Sequence, residues 1–567
     1  MTNSITSTST STSTSTSTSS TIDKLKAIKD SFTHRKETRK VDFYLKNYGF
    51  VPKNVMTEAE WAKARRDAPK VKPATGLKAT AYQGHYCEIA DVIMSASRGF
   101  ASVRPVFLRS MVFQRRPRLP NKSLLTRHQL ANYSVTEIQP LDAEESIYHP
   151  QSDVEDLEGY RPGGYHPTVI GDTLCDGRYK IIHKLGYGGY STIWLARDQL
   201  RQRYVSLKIL VAADPREDDN NESKILRILS NGDLEYPGRR FIPTLLDQFS
   251  FDGPNGHHQC LVGEPAGCSI ASSKENSTNF MFPRDAGRSI AAQLVMGLDY
   301  LHANEICHGD LHLGNFLLRV PEFDNLSPDE LYERHGKPYE VPTHRLDGKP
   351  SAPHAPLHVV YPMKQNMPSN KMTDPEILIS DYGTSFTISK TTSPRLHTPA
   401  LYAPPEDFFN DRIIGTAADV WTLGVVLYDA MGERPLFETF AWDPDDIIAE
   451  MVNTLGYEQM PERWWNSWKC RSEFFNEDGS WVSNFRRIGT PAFRRLHQRM
   501  WDMGRGETPE SCQWDVAGGE LRALEDMLRS MMTFEPAQRL TARQLMASEY
   551  MVKWALPAWQ KQIRRKQ

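Results

Sequence analysis

No stretch of 18 or more apolar residues occurs in the 567-residue sequence, which excludes a membrane-spanning helix. The first residues are a polar Ser/Thr repeat without the apolar core of a secretory leader, so no conventional export signal is expected. Cysteine is sparse: Cys87, Cys175, Cys260, Cys268, Cys307, Cys470 and Cys512 are odd in number and scattered, with no Cys-x-x-Cys pair. That argues against a disulfide framework or zinc ribbon and for a reducing intracellular compartment, cytoplasm or nucleus. Acid is absent from one long stretch. Residues 92–136 hold eight Lys/Arg and neither Asp nor Glu. Basic, serine-containing and acid-free is the composition of an organelle transit peptide, so a start at Met94 would give a shorter mitochondrial form. A plain basic linker is the alternative.

What is present is unevenly charged. Residues 1–150 carry 23 Lys/Arg against 13 Asp/Glu, a net of +10, so a total of −2 leaves −12 on the remainder. A basic arm on an acidic body suits a nucleic-acid or membrane contact, a body that prefers basic partners, or simply a solvated tail. Residues 1–22 are a Ser/Thr repeat with too few apolar side chains to offset ordering, and are expected to be disordered. Residues 23–150 form a basic extension that carries no motif, and 151–172 a lead-in. From about Tyr160, turn residues and short β-branched runs give way to long helical periods. This is the texture of an α+β chain with a strand-rich front and a helix-rich back. Residues 321–375 contain ten prolines and little periodicity, and read as a long inserted loop.

Chemistry enters with a glycine hairpin. Lys184, Gly186, Tyr187, Gly188 and Gly189 precede Ser191, Ile193 and Trp194, so two β-prone edges flank a turn that lets backbone N–H groups approach a polyphosphate. Lys208 then interrupts an apolar strand and needs a partner; Glu222 offers one, on a helical pattern continued by Ile225, Leu226 and Leu229. Ala291, Leu294, Leu298 and Leu301 mark a helix leading into His308, Gly309, Asp310, Leu311, His312 and Asn315. There an aspartate can accept a hydroxyl proton while an asparagine oxygen ligates a hard cation. An apolar strand ending in Asp381 and Gly383 could complete a magnesium site.

In this order the residues resemble a eukaryotic protein kinase, over roughly 173–552. Tyr402 to Glu406, Asp419, Trp421, Gly424 and Arg539 extend the resemblance. The lead-in Gly159–Asp172, the Ser191–Leu195 run and the segment Trp442–Glu450 are similar to the SR-protein kinases, in the manner of a divergent fungal branch. The resemblance implies a two-lobed fold, N-lobe about 173–264 and C-lobe about 265–552, with residues 553–567 as a C-terminal tail. It implies an ATP- and Mg2+-dependent serine/threonine kinase acting on protein substrates, Arg/Ser-rich splicing factors among them, with no direct nucleic-acid contact expected. Oligomeric state is not legible.

By the same resemblance Gly186, Tyr187, Gly188, Gly189 and Ile193 lie about the nucleotide. Lys208, paired to Glu222, contacts its phosphates; Glu264, Pro265 and Ala266 form the adenine hinge; Asn315 and Asp381 hold magnesium. Asp310 takes the substrate proton, Asp419 anchors the catalytic loop, and Glu406 pairs with Arg539. Asp443, Asp445 and Asp446 fit an acidic docking groove. Departures are equally specific. Gly309 stands where an arginine normally clamps a loop phosphate, so dependence on loop phosphorylation should be slight. His312, read as catalytic with Asp310 and Lys208, stands for a lysine as a weaker and pH-dependent cation; Pro399 stands for a threonine with Thr398 adjacent, and Gly263 leaves a hole behind adenine. These departures keep two alternatives open: a pseudokinase scaffold, and a small-molecule phosphotransferase, since the His308–Asn315 pattern also looks like aminoglycoside and choline kinases.

Overall fold

The computed structural model describes residues 146–566 apart from 214–219, 321–322, 324–325, 389–394, 412–413, 440–442 and 483–493. The Ser/Thr tract, the basic extension up to residue 145, the 92–136 stretch with Met94, and Trp442 lie outside the described residues.

The front part is a six-stranded sheet. Strands β1 (Thr173–Leu174), β2 (Tyr179–Gly188), β3 (Ser191–Asp198), β4 (Arg203–Leu210), β5 (Leu245–Gly253) and β6 (Gly256–Gly263) pair antiparallel in the order β1-β2-β3-β4-β6-β5. One face packs Tyr179, Ile181, Trp194, Val205, Leu207, Ile209, Cys260 and Val262 into a core. Between β4 and β5 runs helix α1 (Asn221–Ser230), started by the Asn220 side chain, which accepts the Ser223 N–H at 2.8 Å. Ile225, Leu226 and Leu229 lie on its buried face.

The back part is helical around α2 (Arg284–Ala303). This helix is buried continuously from Ala286 to Leu301, as expected of a helix apolar on most sides. Short strands follow: β7 (Ala266–Ser269), β8 (Ile306–Cys307), β9 (Phe316–Arg319), β10 (Glu340–Pro342), β11 (His358–Val360), β12 (Ile377–Ile379) and β13 (Phe386–Thr387). They pair as β12-β9-β7, β13-β8 and β10-β11. The longer helices are α3 (Pro328–His335), α4 (Thr416–Met431), α5 (Pro444–Leu455), α6 (Glu520–Met531) and α7 (Leu556–Lys566). Among the described residues no helix is long and apolar enough to cross a membrane. The architecture is a strand-rich lobe over a helical one, the α+β arrangement read from the sequence.

Two segments differ from that reading. The 321–375 insert is not a structureless loop. It holds α3, opened by a capping box between Ser327 and Glu330 with Pro328 in the first turn, and the β10-β11 hairpin. Phe323, Leu326, Leu331 and Met363 pack on Ile182, Leu195 and Tyr204 of the sheet lobe. The elements are too short for periodicity to emerge through the prolines. Nor are residues 553–566 a free tail. They run through a helical turn (Met551–Ala555) into α7; Trp554 of the turn and Trp559 of α7 are buried, and Gln562 bonds Ser289 Oγ (2.6 Å) and the Pro375 carbonyl (2.8 Å).

The lead-in is packed as well. Tyr148, Val154, Leu157, Tyr160 and Tyr165 form a core with Ala355 and Val359. Beneath it the Lys184 ammonium, fully buried on β2, meets the equally buried Glu155 carboxylate, which also accepts the Tyr160 hydroxyl.

Candidate active site

Strand register assembles the site's upper wall. Ile193 on β3 stands opposite Gly186 on one side and Lys208 on the other, so the glycine turn lies one strand from the lysine. Tyr187, Gly188 and Gly189 are exposed at that turn. The Lys208 ammonium donates to Glu222 Oε2 at 2.7 Å and to Asp381 Oδ1 at 3.0 Å. This one cation ties the sheet, helix α1 and the loop after β12. Asn221, beside Glu222, adds a second tie: its amide donates to the carbonyls of Gly383 (3.0 Å) and Ser385 (2.7 Å).

The lower wall is a loop held by one carboxylate. Asp419, near the start of α4, accepts the backbone N–H groups of His308 (2.7 Å) and Gly309 (2.9 Å) and lies 3.1 Å from His302 Nε2. Buried, it is nevertheless held below the usual carboxylate range, because those donors outweigh the cost of desolvation. Ser380 and Ser385 stitch the loop to the segment carrying Asp381: Ser380 Oγ donates to Asn315 O (2.9 Å), and Ser385 Oγ to His308 O (3.0 Å). On α2, Gln293 fixes the entry to β12 by accepting the Ile377 N–H and donating to Pro375 O.

Within this frame Asn315 turns its amide nitrogen to the Asp310 carbonyl at 2.9 Å, which leaves its oxygen facing away. Asp310 Oδ1 is buried and has no hydrogen-bond partner among the described residues. Burial, with the charge of Asp381, pushes the Asp310 carboxyl up to about 8. Asp381, at φ +68°, is lowered by the adjacent Lys208. An unpartnered buried carboxylate oxygen, a second carboxylate and an amide oxygen suit a hard divalent cation. Burial lowers His312 to about 4, its Nδ1 accepts the Gly314 N–H at 3.1 Å, and its Nε2 lies 3.8 Å from Asp310 Oδ1.

Glu264, Pro265 and Ala266 connect β6 to β7, and Arg319 clamps the Glu264 carboxylate at 2.6 Å. The hole at Gly263 is partly occupied. Ser206 Oγ donates to the Glu264 carbonyl at 3.1 Å and would lie 3.1 Å from a Cβ at 263.

Gly309 has φ +76°, a left-handed conformation that costs most other residues. Its carbonyl accepts the Thr398 hydroxyl at 2.9 Å, while Leu396 packs with Cys307, Phe386 and Ala418. Farther on, Arg539 spends every donor. It meets Glu406 twice at 2.6 Å and the carbonyls of Thr533, Ala417 and Phe534. The three docking acids have structural work. Asp443 caps α5, Asp445 accepts the Trp468 indole at 2.6 Å, and Asp446 is buried.

Sequence reasoning missed Tyr165, Ser206, Asn221, Gln293 and Ser380. Each acts mainly on backbone groups, which carry no residue identity to read.

Comparison with known proteins gives a match to the family model described as "Protein kinase domain", over residues 179–325 and 365–551. Among curated relatives, the "Serine/threonine-protein kinase SRPK" of Physarum polycephalum is 28% identical over 425 residues, 70% of this chain and 92% of that protein. "Protein kinase dsk1" of Schizosaccharomyces pombe is 36% identical over 184 residues, 32% of this chain and 34% of that protein. Human "SRSF protein kinase 3" is 39% identical over 168 residues, 29% of this chain and 30% of that protein.

Proposed function

This chain belongs to the protein kinase family, and from that premise we propose that it transfers the γ-phosphate of Mg-ATP to serine or threonine of protein substrates, Arg/Ser-rich proteins among them. The observation that carries the reading is the Lys208 bridge to Glu222 and Asp381 beside the unpartnered Asp310 oxygen. The essentials of phosphoryl transfer are positioning and charge neutralisation, and these four residues supply both kinds of group.

Lys208, released from Asp381 when phosphates arrive, holds phosphate oxygens while Glu222 keeps its ammonium in place. Asp381 and the Asn315 oxygen would hold magnesium, which supplies charge neutralisation on the transferring phosphoryl group. Asp310 orients the substrate hydroxyl and takes its proton, its backbone fixed through Asp419. The Glu264 carbonyl, already engaged by Ser206, and the backbone about Ala266 meet the adenine edge. The preference for Arg/Ser-rich substrates is supported by the likeness to the SRPK and SRSF protein kinases and by the net charge of −12 carried outside residues 1–150.

The lowered His312 in the lysine's place favours a second reading, a nucleotide-binding pseudokinase. The deciding test is phosphate transfer from labelled Mg-ATP to an Arg/Ser-repeat peptide, a generic basic protein, an amino sugar and choline, with Asp310→Asn as control. Transfer lost in the control and biased to the Arg/Ser peptide is the expected result. Nucleotide binding without transfer would move the assignment to the pseudokinase, and transfer to an amino sugar or choline alone would make it a small-molecule kinase.

A further inference from the structure

The lead-in segment precedes residue 179, where the match to the family model begins, yet it reaches the tip of the glycine turn. The Tyr165 hydroxyl donates to Gly188 O at 2.9 Å and lies 3.2 Å from Gly189 O, one proton shared between two successive carbonyls. Its ring is fixed. Tyr160 meets it edge-on with ring centroids 5.5 Å apart, and any side chain at Gly159 would collide with it. Its backbone is fixed too. Tyr165 O accepts the Asn255 amide (2.6 Å), Gly164 O accepts the Ala212 N–H (3.0 Å), and Gly163 N–H bonds Asn255 O (2.7 Å). Burial, aided by the Glu155 carboxylate, raises the phenol well above its ordinary range, so it remains a donor.

A trans peptide points its C=O and its N–H in opposite directions. A donor that gathers the carbonyls of Gly188 and Gly189 therefore turns the N–H groups of Gly189 and Tyr190 away from the strap. Phosphate binding by a glycine turn depends on such N–H groups being aimed before the anion arrives. We propose that Tyr165 is a positioning residue for nucleotide phosphates: the strap presets the glycine turn by holding its outer carbonyls, so that the N–H groups of Gly189 and Tyr190 face the phosphate site. The proposal rests on the kinase reading for the identity of the ligand. The Lys184–Glu155 pair seats the same strap on β2, so the strap is held at the middle of the glycine-bearing strand as well as at its tip.

The test compares full-length wild type, Tyr165→Phe and Tyr160→Phe. The first variant keeps the ring and removes only the donor; the second removes the hydroxyl that meets Glu155 and keeps the ring that packs on Tyr165. Amide hydrogen exchange over residues 186–190 is followed without ligand, affinity for a magnesium complex of a non-hydrolysable ATP analogue is measured by calorimetry, and KM for ATP is separated from kcat. Tyr165→Phe is expected to speed exchange in the turn, to weaken nucleotide binding and raise KM about 3–10-fold, the weight of one net hydrogen bond, and to leave kcat unchanged. Tyr160→Phe is expected to lower thermal stability alone. Unchanged exchange and affinity in Tyr165→Phe, or equal effects from both variants, would overturn the proposal while leaving the kinase reading intact. A wild type that binds nucleotide but transfers nothing would sink the kinase reading, and the binding and exchange data would still judge the strap. A wild type that binds no nucleotide would end both.

Discussion

Asp310 and His312 sit two residues apart, and burial drives both toward their uncharged forms, the carboxyl up to about 8 and the imidazole down to about 4. The substitution costs should nevertheless be unequal. Asp310→Asn removes the group that takes the substrate proton and is expected to lower kcat by about 10²–10⁴-fold, the range for a positioned general base, whereas His312→Ala should cost far less because its ring engages the Gly314 N–H and not the substrate hydroxyl. At Gly263 the opening is narrowed by Ser206 but not closed, so ATP analogues with bulky N6 groups should still be used. Gly263→Phe should reduce their kcat/KM about tenfold or more relative to ATP; equal use of both nucleotides by the variant would mean the hinge is misassigned.

His183 makes a separate pH prediction. It is buried on β2, accepts the Lys184 N–H at 2.9 Å, and is lowered to about 4 by burial. Below pH 6.5 the unfolded chain takes up a proton that the folded chain refuses. Stability from this group is therefore complete above 6.5 and is lost as pH falls toward 4, by up to about 3 kcal/mol. Urea unfolding at stepped pH should show that slope, and His183→Phe should flatten it.

At the scale of elements, the substrate-side segment is seated by its own chain. Thr398 grips the Gly309 carbonyl, Leu396 fills the space beside it, and Asn221 ties α1 to Gly383 and Ser385. No arginine at 309 waits for a phosphate. Phosphatase treatment should leave the transfer rate unchanged, and Thr398→Val should lower it; a rate that collapses on dephosphorylation would show another grip. These contacts explain what could be read in advance. Lys208 interrupts an apolar run, and Glu222, Asp310, Asn315 and Asp381 are polar residues beside such runs, so spacing exposes them. Thr398, Asn221 and Ser206 were opaque because their partners are carbonyls. The eight-residue α3 was opaque because two turns are too few for a period to show.

The whole molecule is organised by a few buried charges. Arg539 and Glu406 are 0% and 1% exposed in their side chains. Removing one leaves the other uncompensated, so Arg539→Met should cost about 3–5 kcal/mol by urea unfolding. The double variant with Glu406→Gln should regain much of it. The two-lobed order of strands then helices was legible because local periodicities of two and 3.6 residues generate it. The packing of α7 and of the insert across the lobes was not, since nothing local encodes a contact between distant segments.

Lys184 and Glu155 lie 29 positions apart, one inside the family segment and one ahead of it. Neither can drift alone, because a lone buried charge is far costlier than the pair. A gene fusion or shuffling event that carried residue 179 onward would inherit the ammonium without its carboxylate. The unit that evolution can move intact therefore starts ahead of Glu155, and lead-in and catalytic lobes must travel, and diverge, together.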